Sequence, residues 1–433
     1  MVTLGVLACL VFGFGLLAGR LEGTVVSAPM VFVTGGLVAG ATGILDFGAA
    51  AHATDGHSRE AVFLVAELAL VLLLFSDAAR IDPRALRGNA IPLRLLLVGL
   101  PLSIVGGTAL ALALLSHLEF WECAIVAAIL APTDAALGQA VVSSPMLPVR
   151  IRQGLNVESG LNDGGTVPFL TLFIALAAAE EGIGGGWVRF ALEQIGYGVL
   201  IGAACGVAGG FALRRAAARG WTTHPFEQLA LAALAVIAWF VADEAGGNGF
   251  IAAFVGGGAA GVAIGPALRD RVLEFAEEEG ELLNLAVFLL FGVFAWHALG
   301  DATWEIVLYA GLSLTVVRMV PVAIALLGLG LRASTVAFLG WFGPRGLASI
   351  ILALVVVEDE HDLAGLSQLF LTMTVAVLLS VFAHGITAAP LTRRYARIAD
   401  ALGPDAPELQ PVLELPTRRR PGPAKDRQPE GSR

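Results

Sequence analysis

Charge is scarce in this chain. Only 14% of its 433 residues are Asp, Glu, Lys or Arg, while 57% are hydrophobic; an ordinary soluble domain carries roughly 25% charged residues. That excludes a water-soluble globule. It also leaves no room for a soluble catalytic domain, because each helix crossing a bilayer takes about 20 mostly apolar residues and a dozen or so of them use up the chain. Cysteine is scarce too. Cys9, Cys123 and Cys205 fall inside apolar runs with no CxxC or Cys/His spacing, which excludes a disulfide framework and a zinc site and leaves them as small packing residues. A phosphate-binding loop, a nucleophile elbow and a metal-protease helix are all missing, so neither an enzyme nor a bound cofactor is indicated. The formal charge of -10 gives no ground for nucleic-acid binding. Residues 1–18 lack the basic leader and the cleavage site of a signal peptide, so they read as a first transmembrane helix.

What is present is a series of apolar windows separated by Gly, Pro and charge. They lie near 2–19, 26–44, 61–78, 91–115, 121–142, 150–178, 187–212, 226–243, 248–266, 279–299, 303–330, 334–357 and 366–390, thirteen candidate spans of an all-α polytopic membrane protein. The arginines test the count. Connections after odd-numbered spans carry Arg20, Arg80, Arg84, Arg87, Arg94, Arg150, Arg152, Arg214, Arg215, Arg219, Arg269, Arg271 and Arg332, whereas those after even-numbered spans carry only Arg59 and Arg189. By the positive-inside rule the odd connections are cytoplasmic and the N-terminus is outside. The even connections hold acidic groups, Glu180-Glu181, Asp243-Glu244 and Glu358-Asp359-Glu360, which read as solvated surface. After about Leu402 the composition turns to Pro, Arg, Glu and Asp without apolar periodicity. Residues 1–395 therefore read as one transmembrane domain and 396–433 as a short, disordered cytoplasmic tail, with Arg418, Arg419 and Arg420 available to lipid headgroups.

Two spans are interrupted at their middles, the fifth by Ala131-Pro132-Thr133-Asp134 and the twelfth by Gly343-Pro344-Arg345-Gly346. Either alone reads as well as a simple proline kink. Together they are seven spans apart, an odd number, so spans one to six and eight to thirteen form repeats of opposite orientation with the seventh as connector. Broken segments in corresponding positions of inverted halves mark the binding site of a secondary transporter, where irregular backbone survives at membrane depth because protein or water satisfies it.

Ionisable groups within spans cost several kcal/mol to bury and are functional candidates by default. They are Asp134 in the fifth span, Glu158 and Asp163 in the sixth, Arg318 in the eleventh and Arg345 in the twelfth. Asp77, near the end of the third, reads equally as an interfacial residue, and Glu67, deeper in that span, has no motif behind it. Along the sixth span Ser159 and Asp163 share one face and Glu158 and Asn162 another, so the two carboxylates point roughly 140° apart. Asp163 with Ser159 is placed to meet Thr133 and Asp134 across a cavity, an all-oxygen set suited to a small hard cation. Glu158 is better suited to bracing an arginine than to carrying an ion. The seven histidines read mostly as solvated groups, and Gly198, Gly202, Gly206 and Gly256–Gly258 as close helix packing.

These three elements, Pro132-Thr133-Asp134, Glu158-Ser159-Gly160-Leu161-Asn162-Asp163 and Gly343-Pro344-Arg345-Gly346, resemble in order and span number the signature of monovalent cation:proton antiporters of the NhaP/NHE type. The similarity covers roughly residues 1 to 395. It implies thirteen helices in inverted repeats with broken, crossing fifth and twelfth spans, a homodimer in the plasma membrane, and exchange of a monovalent cation for protons in sodium transport and pH homeostasis. By motif position, Asp163 would be the titrating ligand, with Asp134, the Thr133 backbone carbonyl and Ser159 completing the cation site. Glu158 would bridge to Arg318 with help from Asn162, Arg345 would support the crossing, and Asp77 stands where relatives carry an acidic ligand, in Phe75-Ser76-Asp77 rather than the commoner Phe-Glu form. The electrogenic cousins carry two adjacent aspartates and a lysine where Arg318 stands. With Asn162-Asp163 and an arginine that does not deprotonate, one cation should exchange for one proton without net charge. Sodium is the first expectation, with Li⁺ and K⁺ as alternatives. A proton-coupled transporter of another small solute would want a larger polar cavity than Ser159, Gly160 and Gly164 offer, and a channel or sensor would show conductance or a folded output domain.

Overall fold

The apolar windows condense into helices. The computed structural model describes residues 2–21, 24–45, 56–82, 86, 88–134, 137–180, 187–358 and 363–414, and these contain helices and turns without a strand. Eight helices among them are individually long and apolar enough to cross a membrane, and the remaining apolar segments are shorter or interrupted. The thirteen spans follow in chain order: α1 Val2–Leu21, α2 Ala28–Ala41, α3 Gly56–Arg80, α4 Ala90–Leu114, α5 in two pieces Phe120–Ile129 and Gln139–Val142, α6 Val149–Glu180 and α7 Trp187–Ala218. Then come α8 His224–Glu244, α9 Gly249–Ile264, α10 Pro266–Ala298, α11 as Trp304–Leu314 and Val316–Ala325, α12 as Ala333–Trp341 and Leu347–Glu358, and α13 Leu366–Asp400. Several residues of the sequence argument lie outside the described ones: Arg84, Arg87, Glu181, Asp359, Glu360, His52, His361 and the tail from residue 415, with Arg418, Arg419 and Arg420.

Carbonyl-to-glycine packing holds the spans together and shows the relation between the halves. On α2, a methyl group at Gly36 would lie 2.1 Å from the Leu289 carbonyl oxygen of α10, and at Gly40 3.2 Å from that of Val293. On α9, a methyl at Gly257 would lie 2.1 Å from the Phe75 carbonyl oxygen of α3, and at Gly261 2.2 Å from that of Ala79. Exchanging the halves turns α2 into α9 and α10 into α3, so the two contacts are one contact seen twice, each with glycines four apart facing carbonyls four apart. Small residues at this spacing let backbones touch where lipid offers no hydrophobic drive. Gly198, Gly202 and Gly206 of α7 meet the Asn248, Ala252 and Gly256 carbonyls of α9 in the same way.

The halves correspond in their irregularities as well. Besides the breaks in α5 and α12, α4 carries a π-helical turn at Leu95–Gly99 and its counterpart α11 is interrupted at Thr315, whose φ of -108° and ψ of -87° leave the helix. The π-helical turn packs against the second piece of α11, Val316–Ala325, with Leu95 in one apolar cluster with Val322 and Ala325. The one proline of the eleventh window, Pro321, lies six residues further on inside the helix Val316–Ala325, so the position of this break was not legible in the sequence.

The last span runs on to Asp400, past the expected end near 390 and past the start of the tail read as disordered from 396, and two further readings differ from expectation. The tenth span begins at Pro266, not near 279, immediately after Gly265 in the left-handed region at φ 79°. Leu268 and Val272 are buried there and Arg269 reaches Asp82 at 3.5 Å, so this charged stretch is an amphipathic helical extension at the end of the bundle where the odd-numbered connections lie. The reading of the chain past Leu402 as disordered also gives way over residues 403–414. Pro407–Leu409 forms a 3₁₀ turn with Glu408 fully buried. Composition missed this because one buried glutamate, not an apolar periodicity, anchors the segment.

Candidate functional site

The two broken helices cross where their backbones are freed. Pro132 and Pro344 supply no N–H, and each unwound segment borrows partners from the other: the Asp134 N–H donates to the Pro344 carbonyl at 2.7 Å, and the Ser349 hydroxyl to the Ile129 carbonyl at 2.7 Å. Two opposite charges complete the exchange. Arg345 donates to the Ala131 carbonyl and, at 2.9 Å, to that of Pro132, the open carbonyls where the first half of α5 ends. Asp134 accepts the Leu347 N–H at 2.9 Å, where the second half of α12 begins. A cation thus sits at a helix C-terminus and an anion at a helix N-terminus, the favourable sense for both dipoles. Gly346 has to be glycine, since a methyl there would lie 2.1 Å from the Asp134 carboxylate.

α6 presents its polar residues to this crossing on two faces. On one, Glu158 accepts a bidentate pair from Arg318 of α11, at 2.7 and 2.8 Å, with both side chains buried. Arg318 lies flat on Gly343, where a methyl would come within 2.4 Å of its Nε. Asn162, four residues from Glu158, donates to it only at 3.5 Å and bonds chiefly to Thr133, donating to its hydroxyl at 2.8 Å and accepting its N–H at 3.2 Å. On the other face the Ser159 hydroxyl meets the Thr133 hydroxyl at 3.0 Å, and Asp163, buried, follows one turn on. Asp77 of α3 is buried beside them: a methyl at Gly160 would touch its Cβ at 3.8 Å, and Arg80 approaches it at 3.8 Å. Thr133, Asp134, Glu158, Ser159, Asn162, Asp163, Arg318, Arg345 and Asp77 are all buried, on the spans that pack at and beside the crossing. Glu67, ten residues before Asp77 and half-buried, lies about 15 Å further along α3.

The sequence named no partner for Arg345 and passed over α13. Ser380 accepts the Arg345 backbone N–H at 2.6 Å, and its own hydroxyl lies 3.2 Å from His384 Nδ1. The other ring nitrogen of His384, Nε2, sits 2.9 Å from the Trp341 carbonyl, left open where the first half of α12 ends. Nδ1 also lies 3.0 Å from the Ser380 backbone carbonyl, so both ring nitrogens face backbone carbonyls and the ring ties α13 to the end of the first half of α12. His384 is thus a buried member of the site and not a solvated loop residue. A serine and a histidine four apart in a long apolar helix were the available signal.

Arginines brace the framework, and beside them are the hydroxyls of Ser159 and Thr133 and the buried carboxylates of Asp134, Asp163 and Asp77. Such donors suit a hard cation.

The sequence relationships agree with this geometry. The description of the transmembrane sodium/hydrogen exchanger family matches residues 2–394. A K(+)/H(+) antiporter NhaP of Alkalimonas amylolytica is 25% identical over 85% of this chain and 62% of its own length. The Na(+)/H(+) antiporter ApNhaP of Aphanothece halophytica is 29% identical over 78% of this chain and 66% of its own, and the Na(+)/H(+) antiporter NhaP of Pseudomonas aeruginosa is 28% identical over 75% and 79%. The chain thus spans less than two thirds of the first two relatives. The fold of the sodium proton antiporter MjNhaP1 of Methanocaldococcus jannaschii superposes with a TM-score of 0.75 at 17% identity, over 91% of this chain and 98% of that one. An all-helical polytopic chain with two broken, crossing spans, matched from residue 2 to 394, belongs to the transmembrane sodium/hydrogen exchanger family.

Proposed function

We propose that the protein exchanges one monovalent cation, sodium in the first instance, for one proton, with both competing for the carboxylate of Asp163. The observation that carries this reading is the bidentate Glu158–Arg318 pair. It commits Glu158 to a guanidinium that stays charged and makes Asp163 the carboxylate to which we assign the cargo. Ser159, Asp134 and the Thr133 carbonyl are the remaining proposed ligands, with Asp77 at the edge of the set; Asn162 holds Thr133, and Arg345 holds the crossing.

The mechanism is competition coupled to alternating access. Burial disfavours the charged carboxylate and a bound cation favours it, so loading a cation releases the proton and the reverse. The loaded site then opens alternately to each side as one bundle rocks against the other. Exchange is obligatory because an empty, charged Asp163 is costly to carry across. The rate accordingly passes through a maximum with pH: protons occupy the site on the acid side and are scarce on the alkaline side. Moving one positive charge each way gives no net current.

We further place the protein in the plasma membrane with its N-terminus outside and the odd connections and tail cytoplasmic, as the arginine distribution directs. It works as a homodimer, to which α1, with none of its residues buried, contributes an apolar face. Potassium is the second reading, favoured by the relative named as a K(+)/H(+) antiporter.

The test is collapse of an imposed pH gradient in proteoliposomes on addition of Na⁺, Li⁺ or K⁺ in turn. Collapse by one ion at a rate unchanged when the membrane potential is clamped supports electroneutral exchange and names the cargo. A rate that follows the clamped potential overturns the one-for-one stoichiometry, and no response to any of the three overturns the cation reading.

A further inference from the structure

The first halves of the two broken helices begin with the same contact, made from different parts of the chain. At the start of α5, Glu119 and Glu122 form a capping box in which the Glu122 carboxylate, at the third helical position, accepts the Glu119 N–H at 2.9 Å. The other oxygen of Glu122 accepts the Gly365 N–H at 2.7 Å, tying the start of α5 to the start of α13. At the start of α12 the corresponding first residue is Arg332 and the third helical position is Thr335, which has no carboxylate. The chain past α13 supplies one. Glu408 accepts the Arg332 N–H at 2.8 Å and the Thr335 hydroxyl at 2.9 Å, and the Tyr395 hydroxyl donates to Thr335 behind it. The same segment reaches the start of α6: Arg150 donates to the Pro407 carbonyl and, at 2.7 Å, to Gln410, and Arg152 pairs with Glu414 at 2.9 Å.

Exchanging the halves turns α5 into α12 and α13 into α6. Glu122 links the starts of α5 and α13; Glu408 and its flanking residues link the starts of α12 and α6. We propose that residues 403–414 are a strap that supplies from the tail the capping carboxylate the second half lacks. In this role Glu408 is a positioning residue, holding the first half of α12 and through it Arg345 and the helix crossing in the geometry that exchange requires. The effect on exchange rests on the function proposed above; the docking of the strap does not.

Glu408 is suited to a permanent anchor. Burial pushes its carboxyl up, but the N–H of Arg332, its own backbone N–H, the Thr335 hydroxyl and the Arg332 charge outweigh this and hold it below the ordinary glutamate value. Arg150 faces it from α6 and adds to the same sense. A depressed carboxyl keeps its contribution above the ordinary glutamate value, near 4.3, and loses it as the pH falls through the lower folded value. Docking therefore persists throughout the neutral range.

The experiment is hydrogen–deuterium exchange on the full chain together with cation-dependent proton flux, for wild type, Glu408→Ala and Glu408→Ala/Thr335→Glu. Expected in the wild type are protected amides at Ala406 and Leu409, hydrogen-bonded within 403–414, and at Arg332. In Glu408→Ala all three lose protection and the maximal flux falls about fivefold, the factor of a lost helix cap, with the half-saturating cation concentration unchanged. Thr335→Glu, which rebuilds in α12 the box that Glu122 makes in α5, restores the flux and the Arg332 protection while Ala406 and Leu409 stay unprotected. Unprotected Ala406 and Leu409 amides in the wild type overturn the strap whatever the flux shows. An unchanged flux in Glu408→Ala, or no restoration by Thr335→Glu, overturns the positioning role. If the wild type moves no protons with any cation, the transport reading fails, and the wild-type protection and its loss in Glu408→Ala still decide the strap.

Discussion

Removing Arg318 while leaving Glu158 in place is the sharpest perturbation of the framework. In Arg318→Met the aliphatic part of the side chain is kept and the guanidinium is lost, leaving a carboxylate that is 2% exposed without the two bonds, at 2.7 and 2.8 Å, that hold it. Asn162, donating at 3.5 Å and already committed to Thr133, cannot substitute. An orphaned partner of a buried pair costs about 3–5 kcal/mol, and with both side chains under 4% exposed solvent does little to reduce that. Replacing both partners, Glu158→Met with Arg318→Met, removes the orphan; a buried pair exchanged for apolar groups of similar volume is close to neutral. The four proteins form a double-mutant cycle read by unfolding in detergent micelles. Each single variant should lose about 3–5 kcal/mol and the double variant less than either, a coupling of about 3 kcal/mol or more. If the single losses simply add, the pair is not what holds α6 to α11 and the reasoning fails.

Two further outcomes follow from the packing. Gly36→Ala and Gly257→Ala each push a methyl to within 2.1 Å of a backbone carbonyl, so each should destabilise by about 1–3 kcal/mol or more and by similar amounts, because they occupy equivalent places in the two halves; a large loss in one and none in the other would contradict the equivalence. Arg345→Met leaves the Ala131 and Pro132 carbonyls open and should abolish exchange and lower the unfolding midpoint, whereas a stable, active variant would show that the crossing does not depend on this charge.

What was legible in the sequence was what covalent chemistry imposes. Pro132 and Pro344 cannot continue a helix wherever they sit, and the arginines of the odd connections fixed the number of spans. The four-residue spacing within 158–163 separated Glu158 from Asp163 before any contact was known. Backbone partners were not legible: Arg345 and Asp134 answer carbonyl and amide groups that exist only once both helices have unwound, and a sequence does not print unwound carbonyls. His384 and Ser380 passed as unremarkable because their partners, Trp341 and Arg345, belong to another span. Glu408 was hidden by its surroundings, a run of Pro and Glu whose composition signals disorder and whose single buried carboxylate depends on a helix start more than seventy residues earlier.

The competition itself can be measured without a membrane. In lightly buffered detergent solution, adding Na⁺ to the purified protein should release about one proton per cation bound, and Asp163→Asn should bind no sodium and release none. Sodium binding to the wild type without proton release, or the full release persisting in Asp163→Asn, would contradict the account.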